Sequence, residues 1–136
     1  MTIAPSYDNP PGVGAPFSAY SHVASAGELL FVAGQCGIAE DGSVTGPGVR
    51  TQTIRAYDNV RTILESQGAT IRDVVRFVSY LTSRDHVADF YAAREEYFAE
   101  HYPRGQYPPN TLLIVGGLVR ADLLVEIDAT AFRRKG

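Results

Sequence analysis

Glu126 is the side chain of this sequence best suited to acid–base chemistry. It sits in Leu124-Val125-Glu126-Ile127-Asp128-Ala129, a carboxylate flanked by aliphatic residues. In partly apolar surroundings a carboxyl group can take and return protons near neutral pH. Asp128 shares its face by the two-residue period of a strand and is assigned a structural role. Other constellations are thinner. Ser21 and His22 are adjacent, and neighbours along a strand point to opposite faces, so they form no nucleophile–base pair. His22, His86 and His101 lack metal-ligand spacing and Cys36 has no partner cysteine, so no metal site is expected. Gly12-Val13-Gly14 lacks both the helix pattern and the later glycine of a dinucleotide site.

Lysine chemistry is all but excluded. Lys135 is the only lysine, and the other eleven of the 12 basic residues are arginines. A Schiff base needs an amine whose pKa is lowered by burial or by nearby cations, which a terminal lysine does not provide.

These residues need a scaffold, and 136 residues suffice for one domain with one modest core. An apolar content of 45% with 20% charged residues fits a folded chain. Residues 1–16 read as loop, broken by Pro5, Pro10, Pro11, Pro16, Gly12 and Gly14. Ala19–Ala24 can be a strand, followed by a turn at Ala26-Gly27-Glu28. Leu29–Gly34 is a short apolar run expected to be buried on both faces. From Thr51, the spacing of Ile54, Tyr57, Val60, Ile63 and Leu64 predicts a helix. Its polar face would carry Arg55, Asp58, Asn59, Arg61 and Glu65, and Gly68 would cap its end. Val74–Leu81 is β-branched and aromatic, hence a strand. A second helix follows, capped by Ser83 or Asp85, with Val87, Phe90, Tyr91, Arg94, Tyr97 and Phe98 on its buried side. Pro108–Val115 and Leu124–Ala129 read as the last two strands. The order strand, strand, helix, strand, helix, strand, strand is an α+β pattern, a mixed sheet with two helices on one face.

Six segments in this order resemble one family: Ala19-Tyr20-Ser21-His22, Gly34-Gln35, Ser66-Gln67-Gly68-Ala69, Val74-Val75-Arg76, Phe98-Ala99-Glu100-His101-Tyr102-Pro103 and Val125-Glu126-Ile127-Asp128-Ala129. The chain resembles the RidA (YjgF/YER057c/UK114) family over roughly residues 17–132 of a single domain, 1–136. The resemblance implies a chorismate-mutase-like fold and a homotrimer with sites in the clefts between subunits. It implies hydrolysis of reactive enamines and imines to ketoacids and ammonia, with no metal or organic cofactor. Trimerisation also has a physical reading, because helices on one face leave the other face of the sheet uncovered. Leu112, Ile114, Leu124 and Glu126, or their neighbours, would line that face, depending on register.

The resemblance assigns the site residue by residue. Glu126 falls at the family's glutamate and would deprotonate the attacking water. Tyr20 matches a cleft tyrosine, and Gly34 matches a glycine whose backbone approaches the ligand. Ala33 stands where relatives often carry serine, and Leu112 where many carry cysteine. Tyr91 falls on the second helix near the cleft. Asn110 is the departure. Deaminating members carry an arginine there, whose fork grips the substrate carboxylate. An asparagine amide offers one acceptor and two donors but no charge. Losing one charged partner costs about 1.5–3 kcal/mol, roughly 10- to 150-fold in binding. Arg104, in the preceding loop, and Arg94, on the second helix, are the nearby alternatives, and surface roles are preferred for both. The exchanges at Asn110, Ala33 and Leu112 together imply a less cationic, more apolar pocket. Its substrate would be larger, aromatic or uncharged at the anchoring end.

Two other functions fit the same scaffold: a cyclase, isomerase or dehydratase that releases no ammonia, or a non-catalytic ligand-binding trimer. A net charge of −3 argues against a nucleic-acid partner. Arg133-Arg134-Lys135 reads as a short solvated tail. No apolar run approaches the ~18 residues of a membrane span. The start, Met1–Pro5, shows no signal-peptide pattern, and a lone cysteine fits a reducing compartment, so a cytoplasmic protein is expected.

Overall fold

The computed structural model describes residues 4–134. Its elements are β1 (Ser6–Asp8), β2 (Val23–Ala26), β3 (Leu29–Cys36), α1 (Val49–Ser66), β4 (Val74–Leu81), α2 (Val87–His101), β5 (Asn110–Ile114) and β6 (Val125–Phe132). They form one six-stranded sheet in the order β1-β2-β3-β6-β4-β5. β4 and β5 run parallel and the other neighbours antiparallel, so the sheet is mixed. Among the described residues, no helix is long and apolar enough to cross a membrane.

Both helices pack on one face. Tyr57 of α1 and Phe98 of α2 meet Phe77 of β4 with ring centroids 5.5 and 5.9 Å away. Tyr57 and Phe77 are fully buried. Such aromatic contacts contribute about 0.5–1.5 kcal/mol each beyond the area they bury. The end of α1 is closed by backbone bonds from Gly68 N–H to Glu65 O and from Ala69 N–H to Leu64 O. Gly68 takes φ +80°, so Gln67 is the cap and Gly68 the left-handed residue beyond it.

Several expectations need correction. The N-terminal segment is not all loop, because Ser6–Asp8 adds an edge strand to Val23–Ser25 through backbone pairing. β2 begins at Val23, which leaves Tyr20 in the bend before it. β3 is buried on one face only: Leu29 and Phe31 are 40% and 45% exposed, since no layer covers that side. On α1, the supposedly outward Asn59 is buried, and its amide donates to the carbonyls of Cys36 and Ile38. Ser83 caps a short 3-10 turn, Arg84–His86, by accepting from Asp85 N–H, and α2 starts one residue later. Arg133 is held rather than solvated. Its guanidinium donates to Ser25 Oγ at 2.7 Å, and its N–H donates to Glu28 O. Lys135 lies outside the described residues.

The register of β5 settles the face question. Leu112 pairs with the buried Ser79 and packs against the helix-side core, whereas Thr111 and Leu113 pair with Val78 and Tyr80. Glu126 pairs with Tyr80 and therefore lies on the side away from the helices. The open side of the sheet thus carries Glu126, Thr111 and Leu113, while Leu112 turns inward.

A β-bulge interrupts the β3–β6 ladder. Val32 pairs with Ala129 but Gln35 pairs with Ile127, so Ala33 and Gly34 together oppose Asp128. Before the bulge, Leu30 and Val32 face the core. After it, Gln35 turns inward, and Cys36 stands beside its partner Glu126. The end of β3 is held by α1 at close range. A Cβ on Gly37 would lie 2.6 Å from the Gln52 backbone, so only glycine admits this approach. Gln52, fully buried, donates to Gly46 O and Asp122 O and accepts from Leu124 N–H.

Candidate active site

The bulge places Glu126 on the wall of a cavity of about 430 Å³. Its side chain lies flat across Gly34, where a Cβ would overlap Oε2 and stand 2.6 Å from Cδ. A side chain at position 34 would therefore displace the carboxylate. The second oxygen is engaged: Cys36 Sγ–H donates to Glu126 Oε1 at 3.4 Å. Burial first, and then the Glu126 charge, push the Cys36 thiol well above its ordinary range. It stays protonated and remains a donor.

On the same face, Tyr80 Oη donates to Asp128 Oδ2 at 2.9 Å. Burial and this bond raise the phenol. Asp128 is thus tied to a neighbouring strand, in keeping with its structural assignment.

The opposite wall comes from the segment before β2. The His22 ring is buried and fixed at both nitrogens. Nε2 lies 2.6 Å from Gly14 O, and Nδ1 lies 3.1 Å from Gln35 Nε2. A carbonyl accepts and an amide nitrogen donates, so Nε2 carries the proton and Nδ1 accepts. The His22 N–H donates to Asn9 Oδ1 at 2.8 Å. With both ring nitrogens occupied, His22 has no lone pair free for a substrate. It anchors the loop carrying Phe17 and Tyr20 instead. The Phe17 N–H donates to Tyr20 Oη at 3.2 Å, and Tyr20 stands edge-on to His22.

Tyr20, Ala33, Gly34 and Glu126 line this one cavity. Three other residues singled out in the sequence lie elsewhere. Asn110 is on the helix-side face, where its Oδ1 accepts from Ser79 Oγ at 2.7 Å. Leu112 packs into the core from the same face. Tyr91 is 42% exposed on α2 beside Phe90, because the helix turns Phe90 rather than Tyr91 into the core. Arg104 lines a separate concavity with Arg72 and Arg134, and Arg94 stacks over Phe98 at 4.4 Å. His22, Cys36, Phe17 and Val119 join the cavity without having been singled out for it. Only the strand register and the loop path reveal them; a lone histidine and a lone cysteine carry no local signal.

Chemically, the cavity offers one carboxylate and several apolar groups, among them Phe17, Ile38 and Val119. No arginine or lysine among the described residues lines it. Among the described residues, no group of three or more His, Cys, Asp or Glu side chains is arranged to hold a metal ion.

Comparison with known proteins agrees with this architecture. The sequence model of the endoribonuclease L-PSP family matches residues 13–133. A RutC family protein of Pyrococcus abyssi is 31% identical over 119 residues, spanning 87% of this chain and 89% of the relative. The crystal structure of the YjgF gene product of E. coli superposes with a TM-score of 0.86 at 25% identity, covering 95% of this chain and 99% of that one. E. coli TdcF with bound serine superposes with a TM-score of 0.78 at 25% identity, covering 91% and 93%. The shared fold, the extent of the match and the six segments in order lead to one conclusion: this chain belongs to the RidA/YjgF, or endoribonuclease L-PSP, family.

Proposed function

We propose that this protein hydrolyses the C=N bond of a small enamine or imine, with Glu126 as the base that activates water. One observation carries the reading: among the described residues, a carboxylate held across a glycine backbone is the sole Asp or Glu side chain lining a mainly apolar cavity that has no arginine or lysine in its wall. An imine nitrogen is protonated readily, and the resulting cation is favoured beside a carboxylate. Water attacks the iminium carbon as Glu126 takes its proton, giving a carbinolamine. Glu126 passes that proton to nitrogen and then takes the hydroxyl proton as the C–N bond breaks, so ammonia leaves with the carbonyl product and the proton that had charged the imine returns to solvent. Imine and water thus become carbonyl compound and ammonia, and the carboxylate is regenerated.

The same cavity bears on substrate class. A substrate carboxylate would face Glu126 with no cation in this wall to neutralise it, and like charges at close range repel. The substrate is therefore an imine without a carboxylate, with an aromatic or alkyl body resting against Phe17, Tyr20 and Val119. E. coli TdcF, which shares this fold, has been solved with bound serine, an amino acid. A homotrimer is part of the proposal. It would cover the exposed Leu29, Phe31 and Leu113, and it would bring Asn110 and Leu112 to the cleft from a second copy. The acidic net charge and the unpaired carboxylate give nucleic acid no foothold.

The test supplies imines generated in situ, either from an arylalkylamine by an amine oxidase or from the matching amino acid by an amino-acid oxidase. Ammonia release should be accelerated for the first class by at least ~10-fold over the second, and Glu126→Gln should lower it by ~100-fold or more. Full turnover in Glu126→Gln would overturn the assignment of the base. Preference for the amino-acid imine would overturn the substrate class.

A further inference from the structure

We infer that Cys36 is the positioning residue of this site: its thiol holds one oxygen of Glu126 and leaves the other to face the ligand. The inference rests on Glu126 being the base, and it adds which oxygen acts and what selects it.

A glutamate side chain has three rotatable bonds, and a base works only when its lone pair is aimed at the proton it removes. Two contacts remove that freedom here. Gly34 provides a flat floor for the side chain, with Oε2 closest to it. Cys36, directly across the β3–β6 ladder, donates to Oε1 at 3.4 Å. With Oε1 accepting from sulfur, Oε2 is the oxygen left to accept a proton from water.

The thiol suits this task because it does not compete for the proton. It is buried, and the neighbouring carboxylate disfavours its ionisation further. Its position is fixed from behind, since Asn59 Nδ2 on α1 donates to the Cys36 carbonyl at 3.1 Å. The other ionisable groups around Glu126 leave this pair undisturbed. Tyr80, paired with Glu126 on β4, gives its hydroxyl proton to Asp128, and Asp128 stands two residues along β6. Arg76 of β4 contributes to the field at Tyr80. Tyr20 accepts from the Phe17 N–H, and the His22 ring is bound at both nitrogens. Among the described residues, Cys36 is the one side chain that donates a hydrogen bond to Glu126.

A donor on one oxygen fixes the aim of the other. For Cys36→Ala, kcat/KM on the arylalkylamine-derived imine should fall about 10-fold, with the loss in kcat and KM changed by less than ~2-fold. Cys36→Ser restores a donor at nearly the same place and should recover most of the loss, whereas Cys36→Val fills the space without a donor and should not. A packing role alone would restore the rate in Cys36→Val, and that result would overturn the inference.

A second measurement needs no substrate. Cys36 is the only cysteine, so the protein has a single S–H stretching band in the infrared. In the wild type it should lie at lower frequency than in Glu126→Ala, because a hydrogen-bonded S–H is weakened. An unmoved band would show that the thiol does not donate to Glu126 and would end the inference. The outcomes separate cleanly. If Glu126→Gln retains turnover, the base is misassigned. If Glu126→Gln is inactive while the band stays put, only the role of Cys36 falls.

Discussion

Asn110 Oδ1 accepts a 2.7 Å hydrogen bond from Ser79 Oγ, and the pair lies on the face of the sheet opposite Glu126. Ser79 is fully buried. The bond ties Asn110 to the strand beside it, where the family resemblance places a carboxylate-gripping arginine. Within one chain this position cannot reach the cavity of Glu126, so any effect on ligand must come through a second copy. Asn110→Arg should raise kcat/KM for amino-acid-derived imines by about 10-fold or more relative to amine-derived ones. The ratio of the two ammonia-release rates checks this. An unchanged ratio would place Asn110 outside the site altogether.

Gly34→Ala should disable the site while leaving the fold standing. The new Cβ meets the Glu126 carboxylate, the end of a side chain rather than backbone, so the carboxylate is pushed aside. Overpacking of this kind costs about 1–3 kcal/mol. The expected result is a fall in turnover of about 100-fold or more with a melting temperature lowered by roughly 4–10 °C. Kinetics and calorimetry on the same preparation separate the two effects.

Gln52 should be among the costliest polar residues to remove. It is fully buried on α1, and its three hydrogen bonds join the Gly46 turn, Asp122 and the start of β6. Gln52→Ala leaves two carbonyls and one N–H without partners. The expected destabilisation is roughly 2–4 kcal/mol, read from urea unfolding at pH 7. A loss below about 1 kcal/mol would mean that water replaces the amide there.

Stability should decline on the alkaline side in two stages. Burial raises the Cys36 thiol in the native state, and burial likewise raises the phenols of Tyr57, Tyr97 and Tyr102. A group raised in the folded state contributes stability that is complete below its unfolded pKa and is lost as pH climbs past it. An unfolded thiol titrates near about 8.5 and a tyrosine near about 10. The urea midpoint should therefore begin to fall above about pH 8.5 and fall more steeply above about pH 10. Cys36→Ser should erase the first stage and keep the second. A flat profile to pH 10 would contradict the burial of the thiol.

Much of the architecture was readable in the chain. Ile54, Tyr57, Val60, Ile63 and Leu64 mark α1 because a helix must hide one stripe, and Val74–Leu81 marks β4 by its β-branched and aromatic content. What escaped has physical causes. All three residues of β1 are exposed, and it is held by backbone pairing and by one bond from Gln67 Nε2 to Asp8 Oδ2, so no apolar side-chain pattern announces it. Asn59 reads as a surface residue because its partners, two carbonyls at the end of β3, become neighbours only in the fold. Tyr91 and Phe90 are adjacent aromatics, and local spacing does not decide which of them turns inward. For the site, Glu126 stood out as a carboxylate among aliphatic residues. The separation of Asn110 and Leu112 from it depends on how β5 registers against β4, a long-range fact that no local window contains.

The widened step at Ala33–Gly34 has a consequence for anyone altering this strand. By sequence count the residues before and after it are out of phase, and the doubled position corrects this. With one of the pair trimmed, Gln35 would still face inward and Cys36 would still meet Glu126. Pairing the strand residue for residue at its present length would instead exchange inside for outside along the rest of β3. Gln35 would be swung from its histidine, and the sulfur would leave the acid, with every reactive group chemically intact. The chemistry proposed for this protein hangs on that uneven pairing between Val32 and Cys36 as firmly as on the identity of Glu126.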